Sequence, residues 1–240
     1  MRIFVVAVLF WLPCVLVQAE QPLSQDDPAR RERDARFEEY VRELGTSPTR
    51  VLTYEDLLAV ARGYQVTVLG GYSGLDYEHP GILKAHIVNM VKRNGDKAIY
   101  ILGGTSDGIG RAYSWIPEAA HEIGFSDIKT AGIVSRNAVE YGIARQDYII
   151  FVDTPVDDWG VLEHGQSLMV DIAKQVGGEM IYFRGGAVSH VEIVEALSLG
   201  VPVTIYTGDG LEPNARRVTK RLKKEYTGLI KRMSFIIYRL

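Results

Sequence analysis

Glu192 stands six residues beyond Gly186 in "RGGAVSHVE", and a carboxylate behind a glycine pair and a serine is a group able to act as a general acid or base. Two other glycine-rich stretches lie upstream. "LGGYSGLD", Leu69 to Asp76, offers Gly70, Gly71 and Gly74 around the Ser73 hydroxyl. "IYILGGTSDGIGRA", Ile99 to Ala112, carries Gly103 and Gly104, then Thr105, Ser106 and Asp107, then Gly108 and Gly110. A glycine turn that runs into a helix can hold an anion, because the bare backbone allows close approach and the first helical N–H groups have no intrahelical acceptor. The chemistry expected of these stretches is the grip of a phosphate, with Arg184, Gly185, Gly186 and Ser189 forming the third. The competing expectation for Glu192 is capping of the helix it precedes or enters, which the helix dipole favours. For the first stretch the competing expectation is a tight turn that uses glycine for structural reasons alone.

Such residues need strands that end where each stretch begins. "QVTVLG", "AIYILG", "TAGIV", "YIIFVD", "MIYF" and "PVTIYT" are short apolar runs rich in β-branched and aromatic residues. Segments of helical length, "GILKAHIVNMVKRNG" and "EHGQSLMVDIAKQV" among them, separate most of them. "TYEDLLAVARGY" reads as a further helix with Thr53 as N-cap and Leu57, Leu58 and Ala61 on one face. The pattern predicts an α/β fold, Rossmann-like and doubly wound, with a mainly parallel sheet and helices on both faces. Ligands in such sheets collect at the carboxyl ends of the strands, where all three glycine stretches fall.

Other chemistries fit poorly. No Gly-Lys-Ser/Thr completes a Walker A loop, and "GGYSG" places its serine one step late for a hydrolase elbow. None of the thirteen tyrosines has a lysine four residues on, as the short-chain dehydrogenases need. His79, His86, His121, His164 and His190 show no metal-ligand spacing, so neither a metal nor another cofactor is expected. His190, between Ser189 and Glu192, is read either as an exposed helix residue or as part of the third corner. Asp153, at a strand end with Asp157, Asp158 and Trp159 close behind, is expected to contact a ribose hydroxyl or to cap the turn.

Residues 1–19 read as a secretory signal peptide, with Arg2 before an apolar stretch and Val17-Gln18-Ala19 at the cleavage site. Cleavage would leave 221 residues without the only cysteine, Cys14, and so without disulfides or thiol chemistry. Without Arg2 the chain would carry 26 Lys and Arg against 30 Asp and Glu, a balance that argues against nucleic acid as a partner. A periplasmic or secreted protein with no transmembrane span after cleavage is expected. Residues 20–50 form a charged helical arm, read as a linker or a packing arm. The domain follows at 51–226, its end a basic helix, "NARRVTKRLKKEY", and a short extension occupies 227–240.

From about Gln65 to Thr207 the chain resembles the Lonely guy family of the SLOG superfamily, once labelled lysine decarboxylase-like. "VTVLGGYSG" is similar to that family's first-strand corner, "GGTSDGIG" to its "GGGxxGLMG" and "RGGAVSHVE" to its "PGGxGTxxE". The resemblance implies a nucleotide or related phosphorylated small molecule as partner and hydrolysis of a nucleoside 5'-monophosphate at its N-glycosidic bond. It also implies Glu192 as catalytic residue and a homodimer. The departures are specific: Arg184 replaces the proline, Val188 replaces a glycine, and Leu168 and Met169 occupy the region of the family's arginine-lysine pair. The resemblance therefore leaves the alternative of a non-catalytic binding or sensing module, unless Arg184 or Arg136 fills the vacant role.

Overall fold

The computed structural model describes residues 28–154, 160–163 and 165–214. The signal peptide, the basic C-terminal helix and extension, His164, Asp157, Asp158 and Trp159 lie outside the described residues. No described helix is long and apolar enough to cross a membrane.

Two elements precede the predicted alternation: helix α1 (Pro28–Leu44), which starts on its proline, and a short strand β1 (Arg50–Val51). Helix α2 (Tyr54–Ala61) follows, and the Thr53 side chain accepts from the Asp56 N–H as its cap. Next come β2 (Gln65–Gly70), α3 (Pro80–Asn94), β3 (Ala98–Leu102), α4 (Ala112–Ile123), β4 (Lys129–Ser135) and β5 (Tyr148–Val152). A small hairpin, β6 (Leu162–Glu163) and β7 (Gln166–Ser167), leads to α5 (Leu168–Val176), β8 (Glu179–Phe183), α6 (Ala187–Ser198) and β9 (Val203–Tyr206).

Seven strands form one sheet in the order β1-β5-β4-β3-β2-β8-β9, and every pairing in it is parallel. From β2 the chain winds outward through β3, β4 and β5, then crosses back to add β8 and β9 on the other side. The strand order therefore reverses between β2 and β8, where Gly70 lies opposite Tyr182. One face buries Ile99, Ile101, Met180 and Tyr182 against residues of α2, α5 and α6; the other buries Tyr100, Leu102, Ile181 and Phe183 against α3 and α4. The expected doubly wound α/β architecture is what the chain adopts.

One local expectation is corrected. The helix read from Glu163 begins five residues later, at Leu168, because Gly165 takes φ +81 in the hairpin turn and Ser167 caps the helix by accepting from the Met169 N–H. Of the two readings of the N-terminal arm, residues 28–50 pack. The Phe37 ring meets the Phe151 ring edge-on at 4.9 Å, Tyr40 joins at 6.1 Å, and the Arg136 guanidinium lies 4.5 Å over the Phe37 ring.

Candidate functional site at the carboxyl edge

The three glycine corners converge where β2, β3 and β8 end, and most of their glycines face protein. A Cβ on Gly70 would lie 2.1 Å from the Tyr182 ring, one on Gly71 2.3 Å from the Tyr77 hydroxyl, and one on Gly104 2.3 Å from the Val134 side chain. Gly110 abuts the Thr105 carbonyl. Gly108 has φ +62 and would drive a Cβ to 2.0 Å from the Tyr72 carbonyl, so this position excludes other residues twice over. Gly185, at φ +141, sits against the Ser189 side chain, whose hydroxyl donates to the Gly71 carbonyl at 3.3 Å. These glycines fit the corners to one another. Gly74 and Gly186 face open space, and Gly103 meets only the Ser73 hydroxyl, at 3.8 Å.

The helix end expected to offer free N–H groups after the second corner is partly spent. A 3-10 turn (Gly108–Arg111) leads into α4; the Ile109 N–H donates to the Tyr72 carbonyl at 2.8 Å, and the Gly110 N–H to the Asp107 carbonyl at 3.1 Å. The third corner differs. Helix α6 has Gly186 at its N-cap and no side-chain cap, and the first backbone N–H to bond back is that of His190, to the Gly186 carbonyl. The N–H groups of Ala187, Val188 and Ser189 therefore lack the acceptor that a cap would supply. Ala187 and Ser73 are exposed, while Ser189 is buried. The His190 side chain is half-buried, with its Nδ1 enclosed and without a partner among the described residues.

Glu192 is placed differently from the expectation of a residue on the first turn at the cleft mouth. Because α6 begins at Ala187, Glu192 falls in the second turn and points inward, 7% exposed. The Ser167 hydroxyl donates to one carboxylate oxygen at 3.0 Å and the Tyr182 hydroxyl to the other at 3.2 Å. Burial pushes its pKa up to about 7, against the pull of those two donors. Burial and the nearby Glu192 charge also raise the Tyr182 phenol. Glu195 completes the arrangement by accepting from the Ser167 N–H. The pair of carboxylates thus holds the start of α5 against α6.

No arginine reaches Glu192 among the described residues. Arg184, at φ +54, donates to the Thr207 carbonyl and pairs with Glu212, which straps the segment after β9 to the end of β8. Arg136 lies 3.9 Å from Asp153. Leu168 and Met169, 6% and 5% exposed, belong to the core. Asp153 itself is exposed and also accepts from Arg33 of α1 at 3.3 Å, while Arg33 bonds the Thr154 carbonyl at 2.8 Å. The fold thus surrounds the proposed ribose contact with two arginines from separate elements. Arg33 has no local motif; the Phe37, Tyr40 and Leu44 spacing on its helix is the signal that could have docked it. Thr105 is buried, Ser106 is exposed and Asp107 is half-exposed. Among the described residues no group of three or more His, Cys, Asp or Glu is placed to hold a metal ion.

Neither a family model nor a curated protein matches this chain.

Proposed function

We propose that this chain binds a phosphorylated small molecule of the nucleotide class at the carboxyl edge of its sheet and does not cleave it. The observation that carries this reading is the uncapped start of α6 at the strand-order switch, where Gly186 is open and three N–H groups have no cap. A phosphate there would accept from those groups and meet the positive end of the helix dipole. Ser73, exposed after β2, and Gly103, which meets only the Ser73 hydroxyl, are further open positions of the glycine corners. In this reading the motif resemblance to the Lonely guy family reflects a shared nucleotide grip. The N-glycosidic chemistry is set aside because Glu192 is enclosed by Ser167 and Tyr182 with no arginine beside it. A cleaved leader at residues 1–19 would place this binding outside the cytoplasm, in the periplasm or beyond, with a homodimer as the proposed assembly.

Gly186→Asp tests the reading. The backbone there is extended, at φ −94, and the space is open, so an aspartate can cap α6 by accepting from its first N–H groups. The variant should gain a few tenths of a kcal/mol in stability. It should also lose at least about tenfold in affinity for nucleoside monophosphates by calorimetric titration, because a carboxylate then occupies and repels the phosphate. Undiminished affinity in the stabilised variant refutes the site. Release of free base from a nucleoside monophosphate, lost in Glu192→Gln, refutes the non-catalytic assignment and restores hydrolysis.

A further inference from the structure

Residues 215–240 follow the last described residue and hold nine of the chain's 27 Lys and Arg but one of its 30 Asp and Glu, Glu225. The 214 residues before them carry the opposite balance, 18 Lys and Arg against 29 Asp and Glu. Charge and apolarity are also sorted along the segment. With a turn of about 100° per residue, Val218, Leu222, Leu229, Met233, Ile236 and Leu240 fall on one stripe roughly 60° wide, and every Lys and Arg falls outside it. An apolar stripe backed by a cationic face over this length is the sequence pattern of a helix that lies in a membrane interface without spanning it.

The chain that leads into this segment is fixed to the carboxyl edge of the sheet. After β9, the Glu78 N–H donates to the Glu212 carbonyl at 2.8 Å, and the Glu212 carboxylate accepts from the Gly210 N–H at 2.8 Å and pairs with Arg184. Leu211 is buried, Pro213 is bridged antiparallel to Tyr77, and the Asn214 N–H donates to the Asp76 carbonyl at 2.8 Å. Asp76 is itself held by a fork from Arg111, Nε to one oxygen at 2.9 Å and Nη2 to the other at 3.0 Å. Asn214 is thereby pinned to the loop that carries the first glycine corner. Arg216 and Arg217 follow two and three residues later, at most about 11 Å of chain beyond it. Whatever surface the segment lies on, this edge of the domain is held near it.

We infer that residues 215–240 bind an anionic phospholipid surface, with the apolar stripe among the acyl chains, the Lys and Arg among the phosphate headgroups, and the carboxyl edge of the sheet turned toward the bilayer. Other partners use half of the segment. A nucleic acid would meet the cations and leave the stripe in water, and packing of the stripe on the domain would leave the cations without a role. An anionic bilayer takes both, and each cation near its surface adds to the hold. The inference does not depend on the reading of the α6 start.

Sedimentation with sucrose-loaded vesicles decides it, using the chain from Glu20 onward so that the apolar stretch of residues 1–19 is absent. Vesicles of equal parts phosphatidylglycerol and phosphatidylcholine should bind at least about 100-fold more tightly than phosphatidylcholine alone, and rising salt should weaken the binding. Replacing three cations together, Arg217→Gln, Lys220→Gln and Lys224→Gln, should cost about 100-fold. Met233→Asp with Ile236→Asp should cost at least about tenfold, and the melting temperature should stay unchanged in both variants. Residues 20–240 contain no cysteine, so a single dye can be placed on Ser73→Cys or on Gln65→Cys, both exposed and near opposite ends of β2. A quencher carried by the lipid headgroups should dim the dye at position 73 more than the dye at position 65. No binding to the anionic vesicles, binding indifferent to either set of substitutions, or equal quenching at the two positions overturns the inference. A fall in melting temperature in the Met233 and Ile236 variant assigns the stripe to the domain, and tighter binding of duplex DNA than of vesicles assigns the segment to nucleic acid; either result overturns it as well.

Discussion

The burial of Glu192 makes the stability of this protein depend on pH in an unusual direction. Most paired carboxylates hold their protons less tightly when folded; Glu192 holds its proton more tightly, near pH 7 instead of the ordinary 4.5. Between those values the folded chain binds a proton that the unfolded chain has released, so stability falls as pH rises through this window. The contribution is fully present below about pH 4.5 and is gone above about pH 7, and the shift corresponds to about 3 kcal/mol at 1.36 kcal/mol per unit. Glu192→Gln isolates it. The amide can still accept from the Ser167 hydroxyl and can donate to the Tyr182 oxygen, but it never ionises. Urea unfolding of both chains from about pH 4.5 to about pH 8 should show the variant gaining on the parent by up to about 3 kcal/mol as pH rises, with the steepest change in the middle. Titrating groups that do not interact with Glu192 cancel in the difference. A stability difference flat to within about 0.5 kcal/mol over that range would show that the carboxylate is solvated, and the argument that it is enclosed would fail with it.

Further outcomes follow from the packing. Gly108→Ala must place a Cβ on the Tyr72 carbonyl at a positive φ, so it should cost more than about 2 kcal/mol and cut the yield of folded protein, read by circular dichroism and thermal melting. Phe151→Ala removes the ring between Phe37 and Tyr40; it should expose α1 to limited proteolysis while the cleavage pattern of the sheet stays as it was.

The sheet was legible because its strands are short apolar runs separated by helical segments, a pattern set by burial on both faces. The start of α5 was not, because Glu163 to Val176 has a helical composition throughout, and only the positive φ of Gly165 and the cap by Ser167 decide where the helix begins. The docking of α1 was half-written in the spacing of Phe37, Tyr40 and Leu44, but its target, Phe151, lies more than a hundred residues on. The glycine corners were readable as a place and misleading as a surface. What occupies the space beside Gly70 is Tyr182, 112 residues away, and no local pattern reports whether a bare Cα faces a ligand or a ring. The same holds for Glu192, whose partners Ser167 and Tyr182 come from two other elements.

The mutual fit of the three corners has a consequence for how such a chain can evolve. Gly70, Gly104, Gly108 and Gly110 answer to neighbouring protein atoms, so selection for folding alone keeps them, whatever is bound or turned over. Ser73, Gly103 and Gly186 answer to the space outside, and they are free to drift with the ligand. Among descendants of one ancestor, the familiar glycine signature would outlast a change of substrate or the loss of a reaction. The record of what each descendant binds would be written in the few open positions between.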